Sequence, residues 1–185
     1  MRIECLWESG LGTVFFAGSV KNLVKKINAK YPQCQAKHYY HTQTDDLRDG
    51  VENRFRKYGP ADYAIFGGHS WGGKEAAEIA HWYINLTGRP VDRVFGIDVT
   101  ATFGEHVFIP KKVKRTVEFW ASMGAPASAR RRDPSGGSGG MYTYTSGANH
   151  QIFKYRSMHV PLGWNGNVHQ IVLDEIEDAL NGMPR

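Results

Sequence analysis

Tyr63-Ala64-Ile65-Phe66-Gly67-Gly68-His69-Ser70-Trp71-Gly72-Gly73-Lys74-Glu75-Ala76-Ala77-Glu78-Ile79-Ala80 passes from a short apolar, strand-forming run to an alanine-rich, helix-forming one, with nothing between them but glycines, His69, Ser70 and Trp71. The core of the junction is Gly68-x-Ser70-x-Gly72. A turn this tight forces the serine into an unfavourable backbone region and holds its hydroxyl above the sheet edge. Glycines flank it because a side chain there would collide with the neighbouring strand and helix. The same turn aims the Trp71 backbone N–H and the positive end of the helix dipole at any negative charge developing beside Ser70. The strand before and the helix after give the pattern its weight, since Gly-x-Ser-x-Gly by itself is weak in a chain with 21 glycines.

Outward from this junction, apolar β-rich runs alternate with amphipathic segments. Ile3–Trp7, Ala36–His41, Tyr63–Gly67, Val94–Val99, Val117–Ala121 and Ile152–Ser157 read as strands. Ser19 reads as the cap of a helix carrying Val20, Leu23, Val24 and Ile27, with Pro32 just beyond its end. Asp45 or Asp46 opens a second helix with Leu47, Val51 and Phe55 on one face, a third runs from about Gly73 to Leu86, and a fourth from about Val168 to Leu180. Strand and helix in alternation predict an α/β fold: a three-layer α/β/α sandwich with a mostly parallel central sheet. The 185 residues suffice for one core and predict a single domain over 1–185. Gly124 to Asn149, with Arg130-Arg131-Arg132 and Ser135-Gly136-Gly137-Ser138-Gly139-Gly140, reads as a flexible Arg/Gly-rich loop at 124–149, free or closing as a lid.

The junction also nearly spells a phosphate-binding loop, Gly68-x-x-x-x-Gly73-Lys74, with Val94-Phe95-Gly96-Ile97-Asp98 as a matching acidic strand. The residue after the lysine decides against it. A phosphate loop needs Ser or Thr there to reach magnesium, and Glu75 would instead repel the phosphates.

A serine needs a base to take its proton, and the base needs an acid to orient it. Asp98 ends the first strand after the elbow helix, which puts its carboxylate at the same sheet edge as Ser70. Asp133 is the competitor, but beside three arginines it reads as a solvated ion pair. For the base, His159 directly follows the last strand, whereas His169 falls inside the Val168, Ile171, Val172, Ile176, Leu180 helical pattern and reads as a solvent-side or capping residue. His38, His41, His81 and His106 have no ligand spacing and read as surface or interface residues, and His69 as a packing residue pointing away from the elbow.

With Gly10-Leu11-Gly12 after the first strand, Gly68-His69-Ser70-Trp71-Gly72, Gly96-Ile97-Asp98 and a histidine before the C-terminal helix, the chain resembles the small, cutinase-sized, lidless α/β-hydrolases and lipase-like serine esterases along nearly its whole length. The resemblance implies a catalytic order of Ser70, Asp98 and His159. It also implies a second oxyanion N–H from Leu11 or Gly10 to complete the hole made with Trp71. The expected reaction is hydrolysis of a carboxylic ester through an acyl-enzyme, on a small-molecule, lipid or polymer ester; thioester and amide substrates, or a catalytically idle binding module, are the alternatives.

Composition narrows the remaining classes. No apolar run is long enough to span a bilayer, and Glu4 interrupts the apolar start Met1-Arg2-Ile3-Glu4-Cys5-Leu6-Trp7, so no signal peptide is read and a cytoplasmic location is expected. Cys5 and Cys34 lie outside any zinc spacing and read as buried free thiols. The net charge of +5 comes from basic patches without interleaved aromatics, so no nucleic-acid partner is expected. No cofactor and no metal are expected either.

Overall fold

The computed structural model describes residues 1–10, 14–100, 107–121, 142–144 and 149–182, with the backbone alone for 14–16, 142–144 and 159–160. Strands β1 (Ile3–Ser9), β2 (Lys37–Tyr40), β3 (Tyr63–His69) and β4 (Arg93–Ile97) alternate with helices α1 (Val14–Lys30), α2 (Thr44–Tyr58) and α3 (Trp71–Thr87). Then follow β5 (Val107–Ile109), β6 (Arg115–Ala121), β7 (Tyr142–Tyr144), β8 (Asn149–Tyr155), α4 (His159–Trp164) and α5 (Gly166–Asn181).

Six strands form one sheet in the order β2-β1-β3-β4-β6-β8, and every neighbouring pair is parallel. Two cores cover its faces. On one, Trp7, Phe95, Val117 and Phe119 meet Val20, Leu23 and Ile27 of α1 and Val172 and Ile176 of α5. On the other, Leu6, Phe66 and Val94 meet Leu47 and Val51 of α2 and Ala76, Ile79 and Tyr83 of α3. Trp7 stacks on Phe95 with ring centroids 5.4 Å apart, and both are fully buried; each large side chain of this kind stabilises the fold by about 1.5–3 kcal/mol. The expected α/β/α sandwich is therefore what forms. Among the described residues no helix is long and apolar enough to cross a membrane.

Several boundaries differ from the sequence reading. Helix α1 starts at Val14, because its apolar face continues back through buried Ala17; Ser19, read as a cap, is buried within the helix. The N-cap of α5 is Asn165, whose side chain accepts from the backbone N–H groups of Asn167 and Val168. Strand β7 lies inside the stretch read as the 124–149 loop and pairs with β5 in a separate two-stranded sheet; residues 124–141 and 145–148 lie outside the described residues. Val107 and Ile109 of β5 are buried in the core that α3 closes, too short a run for a period-two pattern to declare itself.

Helix α1 leaves β1 toward one face and α3 leaves β3 toward the other, so the chain parts in opposite directions between these adjacent strands. A crevice at their carboxyl ends is where open α/β sheets place their chemistry.

Candidate active site

Ser70 occupies the whole turn between β3 and α3, with φ 61° and ψ −126°. That region of backbone space costs an ordinary residue about 1–3 kcal/mol, and the surrounding bonds hold it there. Ser70 N–H donates to the Ile97 carbonyl at 2.9 Å, while its own carbonyl accepts from Gly73 N–H at 2.9 Å and Thr100 N–H at 3.3 Å. A Cβ on Gly68 would lie 2.1 Å from the Gly72 carbonyl oxygen, and one on Gly72 would lie 2.2 Å from the Glu8 carbonyl oxygen. Helix α3 is thereby drawn against β1 and β3 so closely that only glycine fits. The helix begins at Trp71, which leaves no loop of the length a phosphate cradle takes. Lys74 instead pairs with Glu78 at 3.2 Å.

Beside the serine lies the end of β1. A Cβ on Gly10 would stand 2.7 Å from Ser70 Cβ, 3.0 Å from Ser70 Oγ and 2.9 Å from the Trp71 nitrogen, so the Gly10 backbone borders both the hydroxyl and the Trp71 N–H. Leu11, the other expected oxyanion residue, lies outside the described residues.

Asp98 follows β4 directly and, like Ser70, sits at the carboxyl edge of the sheet. Its backbone is left-handed, with φ 42°. Its carboxylate Oδ1 accepts from Ala121 N–H at 3.0 Å, at the end of β6, and its own N–H donates to the Phe119 carbonyl at 2.7 Å. The carboxyl group is thus buried and fixed between the ends of β4 and β6. Asp133 lies outside the described residues.

His159 opens α4, not a loop: β8 ends at Tyr155, and the connection is Arg156–Met158. The backbone places it after the last strand of the sheet and before the final helix, and its side chain is outside the description. His169, by contrast, is buried, where the sequence reading had it on the solvent side. Its Nε2 is 2.7 Å from the Gly163 carbonyl oxygen, which can only accept, so Nε2 carries the proton. Nδ1 then accepts from Lys26 Nζ at 3.1 Å. Burial pushes the imidazole pKa down, against the upward pull of the Gly163 carbonyl. With both nitrogens engaged, His169 ties α5 to α4 and α1 and has none left for Ser70.

Two contacts at this edge of the sheet escaped the sequence reading. Thr100 Oγ1 is 3.0 Å from Ser70 Oγ; the loop after Asp98 returns to the nucleophile, which no local pattern announces. His38, read as a surface or interface residue, is half-buried on β2 with Nε2 3.0 Å from Ser9 Oγ.

No protein-family model and no curated protein sequence matches the chain. Solved structures do. The chain is similar to the NocB thioesterase domain, solved as a covalent complex with a fluorophosphonate nocardicin G analogue, at 13% identity and TM-score 0.57, over 98% of this chain and 96% of that one. It is similar to SrfTE, the thioesterase domain that cyclises the lipopeptide antibiotic surfactin, at 13% identity and TM-score 0.53, over 98% and 93%. A hormone-sensitive lipase from a metagenome library superposes at 13% identity and TM-score 0.52, over 93% of this chain and 74% of that one. The chain has the α/β-hydrolase fold. Along this fold, Ser70 stands at the turn between β3 and α3, Gly10 directly follows β1 beside it, Asp98 directly follows β4, and His159 follows the last strand of the sheet.

Proposed function

We propose that this single-domain protein is a serine hydrolase that cleaves a carboxylic ester through an acyl-enzyme on Ser70. The observation that carries the reading is the backbone of Ser70: a non-glycine residue held at positive φ, with its hydroxyl at the mouth of the switch-point crevice and the first N–H of α3 beside it. A strained serine needs a reason to persist, and presenting a nucleophile is the reason this geometry suits.

In the proposed reaction the imidazole of His159 takes the Ser70 proton as Oγ attacks the ester carbonyl. Asp98 keeps that imidazole in the productive tautomer and stabilises it once protonated. The oxyanion is received by the backbone N–H of Trp71 and that of Leu11, and collapse of the tetrahedral intermediate expels the alcohol, which takes the proton from His159. Water, activated by the same imidazole, then releases the acid and restores Ser70. No cofactor or metal enters these steps. The substrate is a small-molecule, lipid or polymer ester; the likeness to two thioesterase domains supports a thioester as the second reading.

The test is a fluorophosphonate probe followed by peptide mass mapping, together with matched p-nitrophenyl ester and S-acyl thioester series of rising chain length. Labelling at Ser70, and at least about a thousandfold loss of turnover in Ser70→Ala without a change in melting temperature, are expected. Labelling at another residue, or an active Ser70→Ala variant, would overturn the assignment. The relative kcat/KM of the two series decides between ester and thioester.

A further inference from the structure

Where β1 and β2 run side by side a serine and a histidine are in contact, Ser9 at the end of β1 and His38 on β2. Ser9 is completely buried, so its hydroxyl reaches no substrate. It lies on the α1 face of the sheet with Trp7, and in register opposite Tyr40 on one side and His69 on the other. His38 reaches it from β2, with Nε2 3.0 Å from Ser9 Oγ. His38 is itself held in place. The ring of Tyr40 meets it edge-on with centroids 5.1 Å apart, and Lys21 of α1 donates to Tyr40 Oη at 2.7 Å while lying 5.0 Å from the centre of its ring. A chain of contacts therefore runs from α1 through Tyr40 and His38 to Ser9. The next residue is Gly10, whose backbone borders Ser70 Oγ and the Trp71 nitrogen.

We propose that His38 is a positioning residue for the hydrolysis: through its hydrogen bond to Ser9 it fixes the end of β1, and so the Gly10 backbone that borders Ser70 Oγ and the Trp71 nitrogen. Strand β2 is a four-residue edge strand, paired on one side only, so the backbone ladder alone leaves the end of β1 weakly anchored on that side. The side-chain bond adds the missing restraint where the chain leaves the sheet. Oxyanion donors act by being in place before charge develops, and losing one outright costs about a hundredfold to a thousandfold in kcat. A donor that is present but loosely held loses less than that.

This inference rests on the hydrolase reading, and the experiment separates the two. The full chain and the variants His38→Phe, His38→Gln, Ser9→Ala and Ser9→Ala/His38→Phe are compared for p-nitrophenyl butyrate turnover, for the rate of Ser70 phosphonylation by a fluorophosphonate, and for melting temperature. All assays run well below the lowest melting temperature. His38→Phe is expected to lower kcat by about ten- to a hundredfold with KM within about twofold, and to slow phosphonylation in parallel. His38→Gln, whose amide can still bond Ser9, recovers most of the rate. Ser9→Ala matches His38→Phe, and the double variant adds no further loss. A His38→Phe enzyme that melts earlier yet keeps kcat and phosphonylation rate overturns the proposal, as do additive losses in the double variant. Should Ser9→Ala not fold, the contrast between His38→Phe and His38→Gln decides alone. A wild-type protein that is never labelled at Ser70 overturns the hydrolase reading and this proposal with it.

Discussion

Ser70 and Asp98 share a feature uncommon in side-chain-bearing residues, a positive φ, and they stand at the ends of adjacent strands. In each case the backbone is held by bonds to the neighbouring strand: Ser70 N–H to Ile97 of β4, Asp98 N–H to Phe119 of β6. The neighbouring strand thus braces the residue that follows each of β3 and β4. Asp98→Asn is a clean probe of this arrangement, because the amide oxygen can still accept from Ala121 N–H while the negative charge is lost. Loss of ester turnover by at least about a hundredfold at an unchanged melting temperature is expected, measured by steady-state kinetics and thermal unfolding. Retained turnover would move the acid elsewhere. The place of Asp98 at the carboxyl edge of the sheet was legible in the sequence because it ends a run of strand-forming residues. Thr100 was not, because its contact with Ser70 depends on how the chain turns after that strand, and nothing in Val99-Thr100 encodes the return.

Among the elements, β1 carries an unusual load at its carboxyl end. Glu8 is buried there, with Thr44 Oγ1 3.4 Å from its carboxylate. Burial first, and then the charge of Glu75, push its pKa up to about 8, against the downward pull of Thr44 and Arg48; Glu78 adds to the rise. Folded Glu8 therefore keeps a proton that the unfolded chain, near an ordinary 4.5, has already released. Between those values the folded state binds more protons, so stability falls as pH rises from about 4.5 and levels off above about 8. Glu8→Gln removes this dependence. In thermal melts the variant should gain on the wild type steadily from pH 5 to pH 8, and parallel curves would show Glu8 ionised throughout. The long elements were readable from their periodicity: Leu23 and Ile27, Leu47 and Val51, Val172 and Ile176 all lie on buried helix faces. The short ones were not. Strands β5 and β7 have three residues each, and α4 is one six-residue helix around Pro161 and Gly163, residues that ordinarily mark a loop. The Ser9–His38 bond joins residues 29 apart in sequence, beyond the reach of any local pattern.

On the scale of the molecule the two edges of the sheet differ in kind. The carboxyl edge holds the strained backbone and the proposed chemistry. Toward the amino edge, Arg93 and Arg115 converge on Glu175 of α5, with Arg93 Nε 3.2 Å and Arg115 Nε 2.7 Å from its Oε2. Arg93 also reaches Asp178 at 2.6 Å, and Arg115 reaches Asn149 at 2.8 Å. These bonds tie β4, β6, β8 and α5 together far from the elbow. Arg93 is buried, so removing one of its two carboxylate partners leaves its charge less well compensated. Glu175→Gln is expected to cost about 2–4 kcal/mol and to lower the melting temperature by about 5–10 °C, with kcat and KM unchanged at 25 °C; equal losses of stability and turnover would mean that the two edges are coupled. The fold class was readable because alternation of strand and helix is a property of the whole chain. The pairing of charges across the amino edge was not, since it depends on which strands become neighbours.

The close packing at Gly68 and Gly72 has a consequence for anyone who sets out to alter what this protein accepts. A randomised library spends its diversity unequally: codons 68 and 72 return almost nothing but the parent, because the first carbon of any side chain meets a carbonyl oxygen at little more than 2 Å. Position 10 admits a newcomer only where the serine and the start of the helix can give way. Variation without loss of the scaffold has to be drawn from positions that already stand in solvent, such as Met158 and Trp164 after the last strand.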